Sequence, residues 1–150
     1  MRTIEISSTE FQTNWKTLYQ QAAQSRQHAH APFSKFFVGA AVQDKDGNIF
    51  EGNNVENMSY GLTICAERTA IASMVAQVGK KKIERICVVL LGGDKKGGSP
   101  CGACRQVIWE FCQGDWNIEV LTCDPEMKNP PRLFTIGELL PDGFVFTGPK

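Results

Sequence analysis

Three stretches of the chain repeat apolar residues at helical spacing, and this pattern predicts three helices. The first contains Phe11, Trp15, Leu18, Tyr19, Ala22 and Ala23. Capping residues and helix breakers set the predicted limits of the three helices. The first runs from Ser8 or Thr9 to about Gln27, the second from about Cys65 to Val78, and the third from Ser99-Pro100 to just before Gly114. The second helix carries so many small residues that we expect it to pack closely against a sheet or another subunit.

Between the helices, apolar runs of strand length predict a mixed sheet of about five strands. The expected strands are Phe36 to Gln43, Asn48 to Val55, Ile83 to Leu91, Ile118 to Cys123, and a short strand or turn before a last helix at Ile136 to Leu140. Asp44 to Gly47 joins the first two as a hairpin. The run from Ile83 is apolar on both faces, which indicates a central strand. Gly92 to Gly98 and Asp124 to Arg132 are predicted loops.

This order of elements predicts an α/β fold, an α/β/α sandwich formed as a single domain over residues 1–150. The length suits one domain, and the content of 42% apolar and 21% charged residues is typical of a globular protein. Sixteen basic residues balance sixteen acidic ones, which argues against a dedicated nucleic-acid binder. The sequence contains no apolar run of membrane-spanning length and no signal-peptide pattern, so we expect a cytoplasmic protein without a membrane partner.

Six cysteines are many for such a protein, and we expect them to serve two purposes. Cys87, Cys112 and Cys123 lie within apolar runs, as core thiols do. Cys101 and Cys104 are three residues apart at the start of a predicted helix, and Cys65 begins another. Helix N-termini stabilise thiolates, and Zn²⁺ accepts three such ligands with its fourth position left for water. The three therefore form a candidate zinc site.

Two charged residues next to these cysteines suit catalysis at such a site. Glu67 follows Cys65 by two residues, so its carboxylate can reach water at the metal without ligating it and act as a general acid and base. Three thiolates leave the site with a net charge of about −1. Arg68 or Arg105 can offset this charge by hydrogen bonding to sulfur, and we favour Arg68.

Four stretches together resemble the cytidine deaminases, in particular the small homotetrameric type with three cysteine ligands. They are residues 31–42 (APFSKFFVGAAV), 53–57 (NNVEN), 65–70 (CAERTA) and 100–108 (PCGACRQVI). The likeness covers roughly residues 10 to 112 and resumes at residues 138–141. It implies a cytidine deaminase-like fold and hydrolytic deamination of cytidine and deoxycytidine in pyrimidine salvage, with zinc as the cofactor and a free nucleoside as the substrate.

The resemblance also implies a role for each matching residue. Cys65, Cys101 and Cys104 would ligate zinc, and Glu67 would carry protons between water and substrate. The substrate-binding residues would be Asn54 and Glu56 on the ribose hydroxyls, Phe36 beside the pyrimidine, and the backbone around Ala66. Phe144 in the tail would reach the site of a neighbouring subunit in a homotetramer.

Some of these assignments have simpler alternatives. Glu56 could be a solvated carboxylate, and Phe144 could be a surface packing residue. Phe36 could belong to the core, in which case Phe37, on the other face of the strand, would be the aromatic at the site.

Two segments depart from the family pattern and leave other functions open. Residues 123–135 do not follow it, and residues 141–148 resemble blasticidin-S deaminase more closely. Blasticidin S or another modified cytosine nucleoside is therefore an alternative substrate. Against that substrate stands Glu56, which blasticidin-S deaminase lacks. A structural zinc module and a deaminase of single-stranded nucleic acid are further alternatives. The missing fourth Cys or His ligand argues against the first, and the balanced charge argues against the second.

Overall fold

The computed structural model describes residues 6–91 and 98–149. Its helices are α1 (Ser8–Glu10), α2 (Lys16–Arg26), α3 (Ala66–Val78), α4 (Gly102–Cys112) and α5 (Ile136–Leu139), with a π-helical turn at Phe11–Trp15 and a 3₁₀ turn at Tyr60–Leu62. Its strands are β1 (Val38–Asp44), β2 (Ile49–Asn53), β3 (Ile83–Leu90), β4 (Glu119–Cys123) and β5 (Arg132–Thr135). The predicted order of elements is therefore confirmed.

The five strands form one mixed sheet in the order β2-β1-β3-β4-β5, with β3 at its centre as its apolar sequence predicts. The hairpin of β1 and β2 is antiparallel, and β1 also pairs antiparallel with β3. Strands β3 and β4 are parallel because α4 crosses over between them, whereas β5 returns antiparallel to β4. The predicted α/β fold with a mixed five-stranded sheet is confirmed.

Helices cover both faces of the sheet, which makes three layers. Alternate residues of β1 and β3 serve the two faces. One core contains Val42, Ile86, Met74 and Ile108 and lies under α3 and α4, and the other contains Trp15, Leu18, Cys87 and Leu121 and lies under α2. The expected core cysteines, Cys87, Cys112 and Cys123, are all buried. No helix in the described ranges is long and apolar enough to cross a membrane.

Two glycines allow helices to approach the sheet closely. A Cβ atom on Gly39 would lie 1.9 Å from the carbonyl oxygen of Ala22 in α2. On the opposite face, a Cβ atom on Gly52 would lie 2.3 Å from the backbone nitrogen of Ala70 in α3. The small residues of α3 thus pack against the hairpin, which is one of the two explanations that the sequence offers.

Several predicted boundaries shift by one or two residues. Ser7 caps the first helix and Cys101 occupies the N-cap position of α4, where the sequence favoured Ser8 or Thr9 and Ser99. Strand β1 begins at Val38, two residues after the predicted Phe36. The Asn54 amide bonds to the backbone of both of these residues and so takes the place of strand pairing. The predicted loop at residues 92–98 lies outside the described residues except for Gly98.

Candidate active site

The N-terminal ends of α3 and α4 meet beside the sheet and bring three cysteines together. Cys65 and Cys101 occupy the N-cap positions of α3 and α4 without a side-chain capping hydrogen bond, and Cys104 lies in the first turn of α4. Their sulfur atoms all lie within 4.8 Å of one another, and those of Cys65 and Cys101 are 3.9 Å apart. Two local features produce this arrangement. The pairing of Val55 with Ile64 fixes the segment before α3, and the crossover after β3 delivers α4.

The cysteine cluster fits a tetrahedral zinc ion. Zinc–sulfur bonds of about 2.3 Å at tetrahedral angles place sulfur atoms about 3.8 Å apart, whereas a disulfide needs about 2.05 Å. All three thiols are free. Within residues 6–91 and 98–149, no further His, Cys, Asp or Glu joins the cluster at this spacing. Three sulfur donors with no fourth protein ligand are the pattern of a zinc site that is open to a small molecule.

Neighbouring side chains stabilise negative charge on the Cys65 sulfur. A hydrogen bond with the Cys104 thiol and a second from Arg68 lower the pKa of Cys65 to about 5. The same bond with Cys65, together with burial, raises the pKa of Cys104. The Arg68 guanidinium donates to the Cys65 sulfur at 3.7 Å and to the Thr63 carbonyl at 3.4 Å.

The two candidate arginines differ in what they contact. Arg68 reaches a sulfur atom, as favoured from the sequence. Arg105 donates to oxygen atoms of Ser99, Pro100 and Leu139 and makes no hydrogen bond to sulfur among the described residues.

Glu67 lies in the first turn of α3 with its side chain enclosed beside the thiols. It is only 5% exposed, and its Oε2 atom accepts a hydrogen bond from the Cys104 thiol at 3.6 Å. Burial raises the pKa of this carboxyl, and the negative charge of Cys65 raises it further. A carboxyl with a raised pKa exchanges protons nearer to neutral pH, which suits a general acid and base.

A pocket of about 300 Å³ opens onto this cluster, a volume typical of small-molecule sites. It is lined by seven residues proposed from the sequence, namely Phe36, Asn54, Glu56, Cys65, Ala66, Glu67 and Cys101. Phe36 therefore belongs to the pocket wall and not to the core.

Six further residues line the pocket without having been proposed, namely Ser34, Val38, Thr63, Val88, Leu90 and Ser99. Alternation along β1 and β3 places Val38, Val88 and Leu90 on the face that α3 and α4 cover. That alternation is the sequence feature from which these three lining residues could have been predicted.

Asn54 and Glu56 stand together at the pocket rim, and both hold backbone groups in place. The Asn54 amide accepts from the Val38 N–H at 2.9 Å and donates to the Phe36 carbonyl at 2.7 Å. The Glu56 carboxylate accepts from the backbone N–H groups of Phe33 and Ser34 at 3.0 and 3.1 Å. Hydrogen bonding from Ser34, first through its side chain, lowers the pKa of Glu56. The carboxylate is therefore charged at neutral pH.

Phe144 does not line this pocket. It is 70% exposed, and its backbone N–H and carbonyl both pair with the side chain of Gln106, which fastens the tail to α4. Its assignment to a neighbouring subunit's site stays a prediction.

Comparison with known proteins agrees with this geometry. The family model described as the cytidine and deoxycytidylate deaminase zinc-binding region matches residues 12–120. A cytidine deaminase of Halalkalibacterium halodurans is 41% identical over 128 residues, which covers 85% of this chain and 92% of that protein. The crystal structure of cytidine deaminase from Burkholderia pseudomallei is 40% identical, with a TM-score of 0.78 over 88% of this chain and 100% of that one. The Mycobacterium tuberculosis cytidine deaminase structure is 36% identical, with a TM-score of 0.70 and coverages of 89% and 99%.

These likenesses confirm the resemblance drawn from the four sequence stretches, since the matched region contains all three clustered cysteines and Glu67. They also confirm a hydrolytic deaminase with zinc as its cofactor. The chain belongs to the cytidine and deoxycytidylate deaminase family.

Proposed function

We propose that the protein converts cytidine and deoxycytidine, with water, into uridine and deoxyuridine and releases ammonia. The single observation that carries this proposal is the position of the buried Glu67 carboxylate, 3.6 Å from the Cys104 sulfur. Cys104 belongs to the open three-thiol cluster, and a pocket large enough for a nucleoside opens onto that cluster. The cytidine deaminases that the chain resembles supply the substrate class.

In this proposal Cys65, Cys101 and Cys104 hold the zinc ion. The ion supplies Lewis acidity, which lowers the pKa of water so that it can act as a nucleophile at neutral pH. Arg68, 3.7 Å from the Cys65 sulfur, offsets the negative charge that three thiolates bring to the site.

Glu67 moves the protons of the reaction. It takes a proton from the attacking water and delivers it to ring nitrogen N3 as the pyrimidine loses its aromaticity. The hydroxyl group that the water leaves on C4 then gives its proton through the same carboxyl to the exocyclic amino group, and the C4–N bond breaks to release ammonia as the C4 carbonyl forms. Burial of Glu67 supports this role because a raised pKa allows one carboxyl both to accept and to return a proton.

The rest of the pocket orients the nucleoside. Phe36 offers an aromatic face to the pyrimidine, and the buried backbone around Ala66 receives the base. Asn54 and Glu56 bind the ribose hydroxyls. Both side chains already bond to backbone groups, but each has a group left for the sugar. Asn54 keeps a second amide N–H as a donor, and Glu56 keeps Oε2 as an acceptor.

We extend the proposal to a homotetramer in the cytoplasm, with Phe144 at a subunit contact. Exposed apolar side chains support association, since Met58, Tyr60, Phe144 and Phe146 are all at least 70% exposed. Light scattering of the purified protein tests this part, and a monomer at working concentration would contradict it.

The decisive experiment compares Glu67→Gln with the parent in an ultraviolet assay across cytidine, deoxycytidine and blasticidin S, with zinc quantified in each sample. Glu67→Gln retains zinc and loses at least about 10²-fold in turnover, the scale of a general acid–base contribution. Glu51→Gln, on the exposed side of β2, is the matched control and keeps full activity.

Three results would contradict the proposal, each in a different part. Unchanged turnover of Glu67→Gln rejects the proton carrier. Activity of the parent on blasticidin S alone rejects the substrate assignment. Binding of single-stranded DNA in a gel shift, with no activity on free nucleosides, would favour the polynucleotide alternative.

A further inference from the structure

Arg105 uses its guanidinium to join three oxygen atoms from two separate parts of the chain. It donates from Nε to the Pro100 carbonyl at 2.7 Å and from Nη2 to the Ser99 hydroxyl at 2.9 Å. From Nη1 it donates to the Leu139 carbonyl at 2.7 Å, at the last residue of α5. The side chain therefore ties the segment before α4 to the C-terminal helix.

The segment that Arg105 holds leads into a metal-ligating position, Cys101, and contains few backbone hydrogen bonds. Ser99 and Pro100 make no backbone–backbone hydrogen bond to another described residue. Cys101 is exposed, in contrast to the buried Cys104. The Cys101 carbonyl accepts from the backbone N–H of Arg105 at 3.0 Å and Pro100 is buried, and the guanidinium contacts add a tie from this segment to α5.

We propose that Arg105 is a positioning residue that holds Cys101 in place for zinc and keeps Ser99 on the pocket wall. The zinc part of this inference rests on the proposed function. Only a planar fork with several donors can bond to all three oxygens at once, and a lysine ammonium cannot reproduce it. Arg105 would thus act on the metal through backbone geometry, whereas Arg68 acts through a direct contact with sulfur.

The test measures the rate at which a chelating dye removes zinc from the folded, zinc-loaded protein. Arg105→Lys keeps the positive charge but loses the fork, so zinc is released about 10- to 100-fold faster, the range found when groups that orient metal ligands are removed. Ser99→Ala removes one contact of the three and gives a smaller increase. It keeps the inference testable if Arg105→Lys folds poorly.

Arg85→Lys is the matched control, because Arg85 also donates to a carbonyl, that of Asn14, and none of its partners lines the pocket. Its zinc release stays at the parent rate. The inference is overturned if both Arg105→Lys and Ser99→Ala release zinc at the parent rate, or if Arg85→Lys releases it as fast as Arg105→Lys. Absence of zinc from the active parent protein would instead reject the proposed function.

Discussion

Replacing Asn54 with aspartate tests the structural role of this side chain. The substitution keeps the oxygen that accepts from the Val38 N–H. It replaces the nitrogen that donates to the Phe36 carbonyl at 2.7 Å with a second oxygen. Two acceptors then face each other at a residue that is only 8% exposed.

The expected loss of stability follows from these contacts. A hydrogen bond contributes about 1 kcal/mol net, and leaving a buried acceptor unsatisfied costs about 1–3 kcal/mol. Asn54→Asp therefore lowers the free energy of unfolding by roughly 2–4 kcal/mol at pH 8. A protonated carboxyl can donate to the carbonyl, so folding raises the pKa of the introduced group. The deficit is small below the ordinary aspartate pKa of about 3.9 and grows as the pH rises through the folded-state value.

Urea unfolding of the zinc-loaded proteins at several pH values measures this difference. Asn53→Asp is the control. The Asn53 amide donates at 3.3 Å to the Ser25 hydroxyl, and this hydroxyl can rotate and donate its own proton to the introduced carboxylate. Its deficit stays below that of Asn54→Asp at every pH. A deficit under about 0.5 kcal/mol for Asn54→Asp at pH 8, or one that does not change with pH, would contradict the stabilising role of the bond from Asn54 to the Phe36 carbonyl.

Two further substitutions test the packing of α3 and the charge balance near α4. Gly52→Ala forces a Cβ atom to within 2.3 Å of the Ala70 nitrogen, so calorimetry should show that the free energy of unfolding falls by about 1–3 kcal/mol or more. Gly61→Ala is the control, because open space surrounds Gly61, and it should change this free energy by less than about 0.5 kcal/mol. The hydrogen bond from Lys82 at 3.0 Å lowers the pKa of Asp115, so Asp115→Asn should lose about 0.5 kcal/mol at pH 7 in urea unfolding. That loss is present above the unfolded-state pKa of about 3.9 and disappears as the pH falls through the lower folded-state value, and a loss that persists in acid would contradict the ion pair as its cause.

The sequence predicted the layers and the thiol cluster because both depend on local patterns. Alternating and helical apolar spacing decides which face of each element is buried, so the order of elements followed directly. The thiol cluster followed from side-chain chemistry, since Cys65 and Cys101 each stand at the start of a helix, where thiolates are stabilised.

Contacts between distant parts of the chain could not be predicted in the same way. The pocket wall forms because β1 pairs with β3 and brings Val38 opposite Leu90, a register that neither segment specifies alone. The sequence left Arg105 as the less favoured of two arginines for a sulfur contact, and it could not show that the Leu139 carbonyl, 34 residues away, takes one of its donors. Nor could it show that the Ser99 hydroxyl bonds to that guanidinium while Cys101 occupies the N-cap position of α4.

X-ray absorption spectroscopy of the purified, active protein at the zinc edge reports on the ligands of the bound ion. We expect one zinc per chain, with three sulfur atoms at about 2.3 Å and one lighter donor atom. A fourth sulfur atom in the shell, or active protein without a bound metal ion, would contradict the proposed site.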